Sequence, residues 1–294
     1  MERYSERKAY KSERGGTVSP ESESPRDLIQ SLERGMAVLR EFARAGQPRS
    51  VSEIAMAVEL SRPAVRRILL TLGHLGYARQ RRGIWSLTPR VLELSAGYYL
   101  RNSLPDIARP FLESLVERLE ETCAVTVLDN TDVIHVSIVE YRGVQPEPVR
   151  PGAPIPTHAS AFGRVLLSGL SPADLEPYLA EAPFPAYTEY TVTDADALRE
   201  SVRQAHRDQY FIAVEELYPG VLALAVPIRV DGAVIGALGT TSTLFRSSVD
   251  KMREQTLPVL AHTAEEIASA YRAGNRYLRG AGSPVHLPPG AMGY

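Results

Sequence analysis

The stretch SRPAVRRILLTLGHLGY, residues 61–77, places Arg62, Arg66 and Arg67 within seven positions of a short amphipathic run. On a helical wheel Val65, Ile68, Leu69, Leu72 and Leu75 gather on one side. Pro63, Arg67, Leu70 and His74 fall opposite, with Arg66 beside them. Guanidinium groups at the start of a helix suit recognition of a polyanion. They form bidentate hydrogen bonds to guanine in a major groove and ion pairs to phosphate. Arg66 or Arg67 is placed to read a base. Arg62, with the Ser61 cap and the N–H groups beside it, is placed to hold phosphate. Arg79, Arg81 and Arg82 follow in YARQRRGIW, where a hairpin would lay them along the DNA backbone or in the minor groove.

Covalent chemistry finds little support in the residues. Cys123, the only cysteine, precedes His135 by twelve positions, but it sits where a helix passes into an apolar strand, the setting of an inert buried thiol. Glu215 and Glu216 are adjacent, so in an extended segment they point to opposite faces and do not cooperate as acid and base. Phosphate-loop glycines, a nucleophile elbow and metal-ligand spacing are all missing, and the six histidines are scattered singly. No catalytic residue, metal or cofactor is expected.

The elements that must position the arginines come in a telling order. SLERGMAVLREFARAG, residues 31–46, has Leu32, Met36, Leu39, Phe42 and Ala43 at helical spacing and Gly46 as its stop. Ser50 and Glu53 have capping-box spacing and open a second helix over about 51–59. Ser61 caps the third, with Pro63 in its first turn. Two short β-prone runs around Arg82-Gly83 then make a hairpin. Three short helices and a hairpin form a winged helix-turn-helix. Thr88 and Pro89 open a further helix that links to a second domain. Beyond it, Asp129 to Asp132 and Asp231-Gly232 turn two hairpins. Helices are expected over about 105–121, after THAS (157–160), in SPADLEPYLAEA, over 194–208 and over 249–272. The fold class is therefore α+β, with an antiparallel sheet flanked by helices in the second domain.

Composition agrees. The chain has 294 residues, enough for two domains, and 44% hydrophobic residues, enough to bury real cores. Residues 27–90 carry a net charge of +6 and residues 91–294 a net charge of −9, although the whole chain is only −2. A small basic module on a larger acidic one suits a single polyanionic partner. One cysteine fits a reducing cytoplasm, and no apolar run approaches the roughly 18 residues of a membrane span. The charged start, MERYSERKAYKSERGG, does not resemble a secretory leader. The expected organisation is a disordered extension (1–26), a winged helix-turn-helix domain (27–87), a linker helix (88–103), an effector-binding domain (104–273) and a flexible tail (274–294).

The sequence resembles the IclR family of bacterial transcription regulators. The resemblance is carried by SLERGMAVLREF, SEIA, LSRPAVRRILLTLGHLGY and WSLTPRVLEL in the first part. HASAFGRVLLSGLS, TVTDADALRESV, the EEL after Gln209-Tyr210, and LAVPI carry it in the second. It covers about residues 28–272. Within the family, SLPDIARPFLESL is most similar to regulators of protocatechuate, 4-hydroxybenzoate and β-ketoadipate catabolism. The resemblance implies a C-terminal domain of GAF-like fold, a homodimer or tetramer, a pseudo-palindromic operator and a small organic acid as effector. Ser50, Ser61, Arg62, Pro63, Ala64, Arg66, Arg67, Arg79, Arg81 and Arg82 would contact DNA. The effector would be walled by the turn Ser160, Ala161, Phe162 and Gly163 and by strands at Ala213, Ala223, Gly239 and Thr241.

This chain departs from the family pattern at that wall. Family members that sense small oxo-acids carry an acid near 213, Cys or Ser at 223 and polar groups near 239 and 241. Here stand Ala213, Val214, Ala223, Gly239 and Thr241. So apolar a wall cannot replace the hydrogen bonds a polyoxygenated acid loses on burial, but it suits an aromatic ring. The N–H groups of 161 and 162 would take a carboxylate, and His158 or Arg164 is either a ligand group or a structural one. Two readings stay open: an effector-responsive regulator, with a ligand-blind variant of it, and a binding protein or enzyme whose winged helix docks protein.

Overall fold

The computed structural model describes residues 28–95, 104–141, 151–152 and 154–280. Two compact units divide at Arg101 and Asn102. The expected extension, residues 1–26, the second half of the linker (96–103) and the end of the tail (281–294) lie outside the described residues.

In the first unit, α1 (Gln30–Ala45), α2 (Val51–Ala57) and α3 (Arg62–His74) precede a hairpin of β2 (Ala78–Arg81) and β3 (Ile84–Leu87). Gly46 ends α1 at φ 64°, and its N–H returns to the Phe42 carbonyl. Ser50 and Glu53 form the complete capping box on α2. A two-residue strand, β1 (Arg49–Ser50), pairs with β3 and makes the sheet three-stranded. The hairpin turn places Arg82 at φ 52° and Gly83 at φ 80°, the mirror-type turn whose twist matches its strands. Val38, Phe42, Ile54, Val65, Leu69 and Trp85 close the core.

Two apolar expectations change. Leu75 caps the end of α3 and is half exposed rather than facing α1 and α2. In α1 the buried row is Val38, Glu41 and Phe42, whereas Leu32 and Met36 stay exposed together with Leu28 and Ile29. After the wing, Thr88 caps a 3-10 turn, Pro89–Leu92, and helix continues only through Ser95 among the described residues. The rest of the expected linker helix, to 103, lies outside them.

The second unit is a six-stranded antiparallel sheet in the order β6-β5-β4-β9-β8-β7. Its strands are β4 (Thr122–Asp129), β5 (Asp132–Val139), β6 (Pro154–Pro156), β7 (Phe211–Val214), β8 (Val221–Val230) and β9 (Ala233–Thr243). Alternation along the strands gives each face its own core. Cys123, Val125, Leu222, Leu224, Val226 and Leu238 meet α4 (Leu104–Leu119) and α8 (Leu257–Gly280) on one face. Ala124, Ala213, Ala225 and Ala237 meet α5 (Ala161–Leu167) on the other. Two more helices, α6 (Pro172–Leu179) and α7 (Ala195–Asp208), pack against Leu167 in a satellite cluster. Side-chain caps at Ser160, Ser171 and Asp194 open α5, α6 and α7.

Helix α8 is entered through a short helical turn (Val249–Lys251) and one π-helical turn (Met252–Thr256). It runs to Gly280, past the expected start of a tail at Gly274, so that glycine does not end the helix. Among the described residues no helix is long and apolar enough to cross a membrane.

Candidate functional site

Helix α3 buries Val65, Leu69 and Leu72 and turns Arg62, Arg66, Arg67, Leu70 and His74 outward. The Ala64 N–H donates to the Ser61 hydroxyl at 3.4 Å, and Pro63 removes a donor that the first turn cannot use. Thr71 donates to the Arg67 carbonyl, so its hydroxyl belongs to the helix. Arg79, Gln80, Arg81 and Arg82 are exposed on the wing. Arg79 reaches Ser86 at 3.4 Å. Arg62, Arg66, Arg67, Arg81 and Arg82 have no acidic partner among the described residues, so their charge is available to a ligand. Ser50 differs from them. Its hydroxyl donates to Glu53 at 2.7 Å and its backbone N–H to the same carboxylate at 2.8 Å, holding that carboxyl below its usual range. Ser50 therefore serves the α2 cap.

In the second unit, strand register sorts the expected effector wall into two rungs on the face that α5 covers. Ala213 pairs with Ala223, Ala223 with Thr241 and Thr241 with Thr122. Ala223 and Thr241 are only half buried. In the adjoining rung, Phe211 pairs with Ala225, Ala225 with Gly239, and Gly239 with Ala124. This rung is closed. A Cβ on Gly239 would lie 2.7 Å from the Phe162 ring and 2.4 Å from the Leu224 carbonyl oxygen. Gly239, expected as pocket wall, is thus covered by Phe162 itself. Thr122, which no motif in the sequence singles out, pairs with Thr241 on the same rung, is buried, and accepts the Tyr141 N–H at 3.0 Å. Alternation along β4 was the signal that would have found it.

The turn before α5 is held tightly. Ser160 accepts the Gly163 N–H at 3.0 Å, and a Cβ on Gly163 would fall 1.9 Å from the Thr157 carbonyl oxygen. Only glycine allows so close an approach. His158 is stacked on Phe184 and Tyr187, and its Nε2 lies 2.9 Å from the Pro185 carbonyl. Burial, with help from the Arg164 charge, lowers its pKa below the ordinary value. Arg164 is fully buried. It donates to Glu216 at 2.6 Å, to Ser201 at 2.8 Å and to the His158 carbonyl, and its guanidinium lies over Phe211. Both His158 and Arg164 are committed to holding the turn. Burial pushes the Glu216 carboxyl above its ordinary range, and Arg164 pulls it back.

Cys123 and His135 lie on opposite faces. Cys123 packs toward α4 and α8, and burial pushes its thiol up to about 12. His135 meets the Phe162 ring edge-on at 5.9 Å on the α5 face. Glu215 adopts φ 58° and accepts the Gly220 N–H at 2.7 Å, turned away from the Arg164–Glu216 pair. No group of three or more His, Cys, Asp or Glu side chains suited to a metal occurs among the described residues.

Comparison with known proteins agrees with both units. Residues 31–82 match the IclR helix-turn-helix domain, and residues 97–269 match the bacterial transcriptional regulator IclR C-terminal domain. The p-hydroxybenzoate hydroxylase transcriptional activator of Acinetobacter baylyi is 32% identical over 247 residues, covering 82% of this chain and 91% of that one. The Pca regulon regulatory protein of Pseudomonas putida is 29% identical over 244 residues, covering 82% and 84%. Among solved structures, a transcriptional regulator from Rhodococcus sp. RHA1 has a TM-score of 0.73 at 34% identity, covering 84% of this chain and all of that one. An IclR homologue from Microbacterium hydrocarbonoxydans, complexed with 4-hydroxybenzoate, has a TM-score of 0.71 at 28% identity, covering 83% and 100%.

Proposed function

The chain belongs to the IclR family of bacterial transcriptional regulators, and from that premise we propose how it works. It binds a pseudo-palindromic operator as a cytoplasmic homodimer, or as a tetramer built from such dimers. A monocyclic aromatic acid held in the second unit changes that binding and so controls genes of aromatic catabolism. Arg66 and Arg67 read bases. Ser61, Arg62, the first turn around Pro63 and Ala64, and the wing arginines Arg79, Arg81 and Arg82 hold phosphates. The exposed row Leu28, Ile29, Leu32 and Met36 suits pairing of two copies through their N-terminal units.

The observation that carries the effector reading is the partly open pair Ala223 and Thr241, flanked on its rung by buried Ala213 and Thr122. One methyl and one hydroxyl offer an aromatic face a mostly dry wall and little else. Relatives that regulate Pca and p-hydroxybenzoate genes, and a relative complexed with 4-hydroxybenzoate, support the same class. The test is fluorescence anisotropy against DNA upstream of the protein's own and neighbouring genes, across salt. Benzoate, 4-hydroxybenzoate and a dicarboxylate are added in turn. The expected result is a complex roughly a thousandfold tighter than non-specific binding, shifted by an aromatic acid but not by the dicarboxylate. No preference for any local DNA favours a protein-docking winged helix instead.

A further inference from the structure

The two rungs of the α5-covered sheet face differ in one respect that bears on ligand size. At their centres, Ala225–Gly239 and Ala223–Thr241, both are floored by small residues, yet only the second pair is partly open. Over Ala225 and Gly239 lies the Phe162 ring, itself 4% exposed, with ring atoms 2.7 and 2.9 Å from the position a Gly239 Cβ would take. Ala225 beneath it is fully buried. One rung along, Ala223 and Thr241 remain half buried. Rungs on one face of a strand are about 6.8 Å apart, close to the width of one benzene ring. The Phe162 ring is kept in place from both sides. Its backbone belongs to α5, whose turn is locked by Gly163 against Thr157, and its edge meets His135.

We infer that Phe162 is the residue that sets effector size: it occupies the Gly239 rung as a wall and confines the ligand to a single aromatic ring on the Ala213–Ala223–Thr241 rung. The inference rests on the effector reading above and adds to it a limit and the side chain that imposes it. An acid with two fused rings must displace Phe162, and Phe162 has no vacant rung to move into along Ala225 and Gly239. Shortening the side chain opens that rung. The small floor then accepts the second ring.

The test is isothermal titration calorimetry on the full chain, wild type, Phe162→Leu and Phe162→Ala, with 4-hydroxybenzoate and 2-naphthoate. Folding is checked by circular dichroism, and Phe162→Leu carries the test should the alanine variant fail to fold. Wild type is expected to favour 4-hydroxybenzoate over 2-naphthoate. That ratio of dissociation constants should fall by about tenfold or more in the folded variants, the scale of discrimination a pocket achieves by size. A ratio unchanged in the variants while 4-hydroxybenzoate still binds overturns the role of Phe162 and leaves the effector reading standing. Wild type that takes 2-naphthoate as well as 4-hydroxybenzoate overturns it too. Neither acid binding any of the three proteins overturns the effector reading and this inference together.

Discussion

Arg164 and Glu216 are 52 positions apart in sequence and form an ion pair of 2.6 Å, with the Arg164 side chain wholly out of water and that of Glu216 9% exposed. The pair joins the first turns of α5 to the segment after β7. Thr188 and Thr191 clamp the same segment by donating to the Glu215 and Glu216 carbonyls, each at 2.6 Å. Removing one partner leaves a buried charge alone. Arg164→Met is therefore expected to destabilise the second unit by about 3–5 kcal/mol. The double variant Arg164→Met/Glu216→Leu should recover part of that loss, since it strands no charge. Urea unfolding of the three proteins measures both. Equal losses in single and double variants would show that Arg164 acts through packing alone.

His158 makes stability depend on pH. Its pKa is lowered in the folded state, first by burial and then by the Arg164 charge, from an ordinary value of 6.5. The unfolded chain therefore takes up the proton more readily than the folded one, and stability falls as pH drops below about 6.5. Glu216, whose carboxyl is raised by burial, works in the opposite direction, so the clean measurement is a difference. His158→Gln should lose less stability than wild type between pH 7.5 and 5.5 in thermal melts. A parallel loss in both proteins would remove His158 from the account.

The arginines of α3 and the wing should separate by what they contact. Arg66→Ala or Arg67→Ala is expected to cost about 1–3 kcal/mol on the cognate operator and to relax its sequence preference. Arg81→Ala or Arg82→Ala should weaken binding to all sequences alike and reduce the salt slope by about 1. Anisotropy titrations on operator and scrambled DNA at several salt concentrations distinguish the two patterns. Retained preference in both α3 variants would mean that another face enters the groove.

These arginines were legible in the sequence because they answer to local rules. Ser50, Ser61, Thr88 and Ser171 cap helices where their positions in the sequence placed them. The turns at Asn130 and at Asp231-Gly232 have the positive φ their hairpins require. What escaped needs partners distant in the chain. Phe162 and Gly239 meet only when α5 lies across β9, and no periodicity records which rung a ring will cover. Arg164 reads as a surface cation until Glu216 is brought to it. Of the row Leu32, Met36, Leu39 and Phe42 in α1, Phe42 is buried as its spacing implies, whereas Leu32 and Met36 stay exposed and Val38 is buried in their place. Apolar spacing alone does not record which of its positions the fold buries.

Two helical glycines give the last test, because their surroundings differ more than their sequence context. In Gly73 a new Cβ would meet the buried Trp85 ring at 3.3 Å, which must yield by a few tenths of an ångström. Alanine there also gains roughly 0.5–1 kcal/mol from helix propensity, so Gly73→Ala is expected to be near neutral. In Gly163 the new Cβ would sit 1.9 Å from the Thr157 carbonyl oxygen and 2.6 Å from its carbon. Backbone cannot step aside there without undoing the turn that His158, Ser160 and Arg164 hold. Gly163→Ala should cost more than about 4 kcal/mol, the range reserved for a disrupted core. Thermal melts of the two variants decide it, and a Gly163→Ala protein as stable as wild type would mean that α5 is not seated on the Thr157 turn as described.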